Sequence, residues 1–133
     1  MTDGPNRVLV VDDLPDWRAT LSGLLEDAGY DVQCAGSQER ALELLGTGHF
    51  DLALLDVRLD ETDEGNTEGL DLAAEIRHRW PAIRVVMITG YGTSDIMRRA
   101  MEPDAQGQRL VANYIPKTET EDLVRVVGEV LAR

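Results

Sequence analysis

Three of the apolar runs in this chain, at 8–11, 52–55 and 85–88, carry no polar residue at all, and that property restricts the fold more than any other. A strand with one face in water alternates apolar and polar side chains. An unbroken run needs cover on both faces, as in a parallel sheet sandwiched between helices. Two further runs, at 32–35 and 112–115, contain Gln33 and Asn113 and read as strands nearer the sheet edges.

Helical spacing fills the intervals. Trp17, Leu21, Leu24, Leu25 and Ala28 form one stripe, with Pro15 at its start and Gly29 as its stop. Ala41, Leu42, Leu44 and Leu45 follow Ser37, which suits an N-cap. Leu72, Ala73, Ile76 and Trp80 make a third stripe ending at Pro81, and Ile96, Met97, Ala100 and Met101 a fourth. A last helix carries Leu123, Val127, Val130 and Leu131 behind Thr118 and Glu121, a capping-box spacing. Strand and helix alternate five times, which implies right-handed crossovers and an α/β doubly wound sheet. The 133 residues predict one domain over 1–133, its core at about 7–131, with no effector domain.

In an open parallel sheet, chemistry collects at the carboxyl ends of the strands. The first strand runs into Asp12 and Asp13, the third into Asp56, the fourth into Thr89 and Gly90, and the fifth ends two residues before Lys117. With the first strand between the second and third, three carboxylates meet at one rim. Their mutual repulsion is relieved most simply by a hard divalent cation such as Mg²⁺, which takes oxygen ligands and is commonly held by one or two carboxylates. A turn before Pro15 is the plainer reading of Asp12 and Asp13 taken alone. Lys117 is the chain's only lysine among 13 basic residues, so a site wanting a compact ammonium rather than a planar fork is indicated there.

Composition excludes several alternatives. Against 13 Lys and Arg stand 25 Asp and Glu, a net charge of −12 that repels nucleic acid and anionic lipid. No run is long enough to span a membrane, and the first residues lack the apolar core of a signal peptide, so a cytoplasmic protein is expected. Cys34, alone, forms no intrachain disulfide and reads as a small buried hydrophobe. Met87, Met97 and Met101 read as core filler; His49 lies before the third strand and His78 in the polar end of the third helix, so neither is near the site.

With these residues in place, the chain resembles the receiver domain of two-component response regulators. The matching residues are Val8 to Asp13 (VLVVDD), Asp56 in LALLDVRL, Thr89 in VVMITGYG and Lys117 in NYIPK. The resemblance implies a (βα)₅ sandwich of strand order 2-1-3-4-5, flavodoxin-like. It implies that Asp56 accepts a phosphoryl group from a sensor histidine kinase or phosphotransfer protein. Asp13, Asp56 and the backbone carbonyl of Arg58 would ligate Mg²⁺ directly, and Asp12 largely through water. Lys117 and the Thr89 hydroxyl would each contact a phosphoryl oxygen. Thr89 and Tyr114 would form the switch, though Tyr114 reads equally well as a core aromatic. Arg58 and Tyr91 would tune the access of water, giving slow autodephosphorylation. The implied role is a phosphorylation-switched binding module acting on a downstream protein or effector domain, not a turnover enzyme.

Two stretches depart from the family. The loop at 58–68 is extended and strongly acidic, which lowers the local potential beside Asp56. The stretch at 102–109 is longer than usual and places a standard dimer through that face in doubt; Arg98 and Arg99 nearby are an ordinary exposed pair or a partner contact. Two other readings stay open. A Mg²⁺-dependent phosphohydrolase with an aspartyl nucleophile generally needs a second Asp two residues on, where Arg58 stands. A receiver-like module that binds partners without phosphorylation is the other.

Overall fold

The structure, a computed structural model, describes residues 6–56, 68–89, 101–103, 105, 107, 109 and 111–132. The strands are β1 (Arg7–Val11), β2 (Asp31–Ala35), β3 (Leu52–Asp56), β4 (Arg84–Thr89) and β5 (Asn113–Pro116), all parallel in the order β2-β1-β3-β4-β5. The uninterrupted apolar runs are the three inner strands, and the two runs with polar residues are the edges, as their patterning predicts.

Alternation along each inner strand divides the core in two. Leu9, Val11, Ala53, Leu55, Val85 and Met87 face one side, where Ala41 and Leu45 of α2 (Gln38–Thr47) and Leu72, Ala73 and Ile76 of α3 (Glu68–Arg79) cover them. Val8, Val10, Leu52, Leu54, Val86 and Ile88 face the other. There they meet Leu21 and Leu25 of α1 (Pro15–Asp27) and Leu123, Val126, Val127 and Val130 of α4 (Leu123–Ala132). The result is the three-layer doubly wound sandwich.

Helix ends follow local chemistry. Pro15, preset in φ and without an N–H, opens α1 at a position where that N–H has no helical partner. Gly29, at φ 98°, closes it in the left-handed region that a side chain disfavours. The Ser37 side chain accepts from Arg40 N at 3.2 Å and caps α2.

Three expectations are corrected. Residues 117–122 form a 3₁₀ segment with Pro116 ahead of it and no side-chain cap, so the capping-box spacing at Thr118 is not used. Glu119, at φ −127° and ψ 43°, interrupts helical geometry there, and the α-helix begins only at Leu123. Cys34 is exposed rather than buried, because β2 is an edge strand whose outer residues face solvent. Strand β5 also runs to Pro116, so Lys117 follows it directly. Met87 is core, as expected. Arg58, Tyr91, Met97, Arg98, Arg99 and the acidic loop as far as 67 lie outside the described residues, as does most of the helical stretch at 96–101. Of the stretch at 102–109, five residues are described.

Leu54 is fully buried at the centre of β3. Leu54→Ala is expected to cost about 2–5 kcal/mol in urea unfolding, because it removes apolar contact and leaves a cavity. Cys34→Ala, on the exposed edge, is expected to stay within about 0.5 kcal/mol of the parent.

Candidate functional site

Parallel topology puts the ends of β1, β3, β4 and β5 on one rim. Just past β1, Asp12 continues the ladder by donating its N–H to Ala35 O at 3.1 Å. Its Oδ1 accepts from Leu14 N at 3.0 Å, an Asx turn that redirects the chain into α1. The Arg18 guanidinium donates to Asp12 O at 2.8 Å and ties the first turn of α1 back onto the acidic turn. Gly36 makes that contact possible: a Cβ there would stand 2.8 Å from Arg18 Nη1. Neither Arg18 nor Gly36 was singled out by the sequence patterning, since a charged residue at a helix start and a glycine after a strand are ordinary features.

Asp56 is the last residue of β3 and is 1% exposed; Asp12 is wholly buried and Asp13 half-buried. Oxygen atoms of these three carboxylates lie within 4.8 Å of one another, a donor set able to hold a cation. From the other side of the rim comes Lys117. Its Nζ is 3.1 Å from Asp12 Oδ2 and 3.2 Å from Asp56 Oδ2, with its side chain only 10% exposed. Register explains the meeting. Asp56 pairs with Ile88, and Thr89 pairs with Pro116, so Lys117 begins one residue beyond the β4–β5 ladder with its stem free to reach two strands across. The ammonium also stands 4.9 Å from the centroid of the Trp17 ring, a partner that the sequence reading assigned only to a core stripe.

Burial pushes the Asp12 carboxyl above the usual carboxylate range; the Leu14 N–H and Lys117 oppose that shift, and Asp13 adds to it. Asp12 Oδ2 is buried and has no hydrogen bond among the described residues, its compensation being the ionic contact with Lys117. With three carboxylates against one ammonium the cluster carries −3 + 1 = −2 when fully ionised. Buried hard oxygens with that residual charge fit a hard divalent cation.

The other predicted residues fall around this centre. Thr89 ends β4, but its side chain lies outside the described residues. Tyr114 is half-buried on β5 and packs against the core cluster on the α2–α3 side. His49 and His78 are exposed and take no part in the acidic cluster.

A five-stranded parallel sheet of order 2-1-3-4-5, with clustered acids and an opposed lysine at its carboxyl rim, defines a class of phosphoryl-signalling domain. The sequence profile of the response regulator receiver domain matches residues 8–126, and the chain belongs to that family. It is 36% identical over 124 residues to the alginate biosynthesis transcriptional regulatory protein AlgB of Pseudomonas putida, covering 93% of this chain and 25% of that protein. To the nitrogen assimilation regulatory protein NtrX of Azorhizobium caulinodans it is 30% identical, over 92% of this chain and 25% of the relative. The chain thus spans about a quarter of the length of these relatives.

Solved structures agree. A CheY-like receiver domain from Methanospirillum hungatei superposes with a TM-score of 0.79 at 26% identity, over 97% of this chain and 95% of that one. The response regulator TrrA from Thermotoga maritima, solved with Mg(2+)-BeF, gives 0.74 at 28% identity, over 94% and 98%. Among the described residues no helix is long and apolar enough to cross a membrane.

A carboxyl whose pKa is raised on folding binds its proton more tightly in the native state than in the unfolded chain. Asp12 therefore weakens the fold fully above its folded pKa and not at all below the ordinary carboxylate range. In metal-free buffer Asp12→Asn is expected to be more stable than the parent at pH 7. That advantage should shrink as the pH falls through the raised pKa toward the ordinary range, as read by urea midpoints across the series.

Proposed function

We propose that Asp56 is the phosphoacceptor of this receiver domain, and that its phosphorylation, supported by Mg²⁺, switches a protein-binding surface. The observation that carries this reading is the position of the Lys117 ammonium, 3.2 Å from Asp56 and 3.1 Å from Asp12 at the shared rim. In the transfer, an Asp56 oxygen bonds to phosphorus as the donor's bond to phosphorus breaks and its electrons leave with the donor. The reaction asks the protein for positioning and for relief of charge on the equatorial oxygens more than for covalent chemistry.

Asp12, Asp13 and Asp56 would hold the ion together with the backbone carbonyl of Arg58. Mg²⁺ when bound supplies charge neutralisation for the incoming phosphoryl oxygens. Lys117 supplies a second, protein-borne positive charge on the side facing β5. Thr89, at the end of β4, is the candidate hydroxyl for another oxygen, and Tyr114 on β5 the candidate reporter of the phosphorylated state. Arg58 and Tyr91 are candidates for controlling the approach of water. The new negative charge shifts the domain between two states only to the extent that they bind it differently.

The donor would be a sensor histidine kinase or phosphotransfer protein in the cytoplasm, and the consumer of the signal a downstream protein or effector domain. A net charge of −12 speaks against this domain itself contacting DNA. The domain would act stoichiometrically as a signalling module, not as a turnover enzyme, over the whole of 1–133.

Intact-mass measurement after treatment with acetyl phosphate and Mg²⁺ tests the reading. One phosphoryl group is expected on the parent and none on Asp56→Asn. Labelling that persists in Asp56→Asn would move the acceptor elsewhere, and steady release of phosphate from excess donor would indicate a phosphohydrolase.

A further inference from the structure

Among the described residues Lys117 is held by Asp12, Asp56 and Trp17, and these holders are not equivalent. Asp12 Oδ2 and Asp56 Oδ2 are anions, and both belong to the acidic cluster suited to a cation. The third holder, the Trp17 ring with its centroid 4.9 Å from Nζ, is neutral. A divalent cation entering the cluster changes its charge from −2 to 0. Much of the field that draws the ammonium inward then disappears, and a second cation now stands nearby. Lys117 has a long stem with considerable rotamer freedom, so a site that depended on the carboxylates alone would loosen its lysine as the metal arrives. The attraction between a cation and an aromatic face depends on the ring's quadrupole, which the metal does not discharge.

Trp17 is also well fixed. It lies in the first turn of α1, two residues beyond Pro15, and packs against the core cluster that includes Val10 and Leu21. Its neighbour Arg18 is hydrogen-bonded to Asp12 O, so the turn that carries the ring is fastened to the turn that carries the acids. We propose that Trp17 is a positioning residue that provides a metal-independent seat for Lys117, keeping the ammonium beside Asp56 when a divalent cation occupies Asp12, Asp13 and Asp56. Its consequence for phosphorylation rests on the reading of Asp56 as acceptor; the seat itself does not.

Because Lys117 is the only lysine, isotope-labelled lysine in the full chain yields a single ε-methylene NMR signal. Protons above an aromatic face are shifted upfield. The expected result is an upfield ε-methylene signal in the parent that persists at saturating Mg²⁺, is reduced in Trp17→Phe and is lost in Trp17→Met. With acetyl phosphate and Mg²⁺, Trp17→Met is expected to label roughly twofold to thirtyfold more slowly, the range set by a cation–π contact between exposed and desolvated limits, with Trp17→Phe recovering part of the rate.

An unshifted parent signal, or one that leaves the upfield position when Mg²⁺ is added, overturns the seat, as does a Trp17→Met variant that labels at the parental rate. If Trp17→Met fails to fold, Trp17→Phe and Trp17→Tyr decide by the same two readouts: changes graded with the ring support the seat, and parental values in both overturn it. A parent that is never labelled yet keeps its shifted signal in Mg²⁺ would sink the phosphoacceptor reading and leave the seat standing.

Discussion

Two carboxylates buried at the end of a parallel sheet, and the single ammonium that makes them tolerable there, are the constraint around which this molecule is arranged. Asp12 is wholly buried and Asp56 nearly so, and charges so placed persist only when paired. The pairing residue is 61 positions from Asp56 in sequence. Only a sheet that brings β1, β3, β4 and β5 to a common rim can join them, and parallel connections do so without further devices. The helices cover the faces, so the rim is the one place where strand ends stay open to chemistry.

That arrangement sets the division of labour in the sequence. The inner strands are nearly pure hydrocarbon and supply the burial that stabilises the sandwich, while each inner strand's last residue or its successor is polar. The raised pKa of Asp12 shows the tension at the boundary: the fold would be better served by a neutral group. A site that must receive a cation and then an anion keeps its carboxylates ionisable, and the cost in stability falls on the core beneath it.

How far the sequence reveals this depends on the range of the interaction involved. Strand identity and the edge positions of β2 and β5 were legible, because burial on two faces leaves an uninterrupted apolar run. Asp12, Asp13, Asp56 and Lys117 were legible as a set, because strand ends in a parallel sheet converge whatever the details. Trp17 was not: its place in an apolar helical stripe gave full account of it, and nothing local announces that the face of this half-buried aromatic meets a charge a hundred residues away. Arg18 and Gly36 were hidden for a related reason, since their contact depends on how closely α1 approaches the end of β2. Cys34 misled because hydropathy alone does not distinguish an outer position of an edge strand from an inner one. The segment 117–122 misled because capping-box spacing describes a helix that starts cleanly, whereas here the first residue is committed to the site.

The same geometry accounts for a lysine in a chain that otherwise uses arginine for every basic position. Among the described residues, one oxygen of Asp12, one of Asp56 and the face of an indole surround the ammonium, with the cationic side chain only 10% exposed. An ammonium presents three donors around a point and can address two separate oxygens while its remaining side rests against a ring. A guanidinium is flat and wide, and its paired donors suit two oxygens of one carboxylate rather than one oxygen from each of two. Set between Asp12 and Asp56, it would have to choose one of them, weakening the compensation of the other, or force apart acids whose oxygens lie within 4.8 Å. Elsewhere on the molecule, as where Arg18 Nη1 donates to the Asp12 carbonyl beside Gly36, there is room for the wider guanidinium.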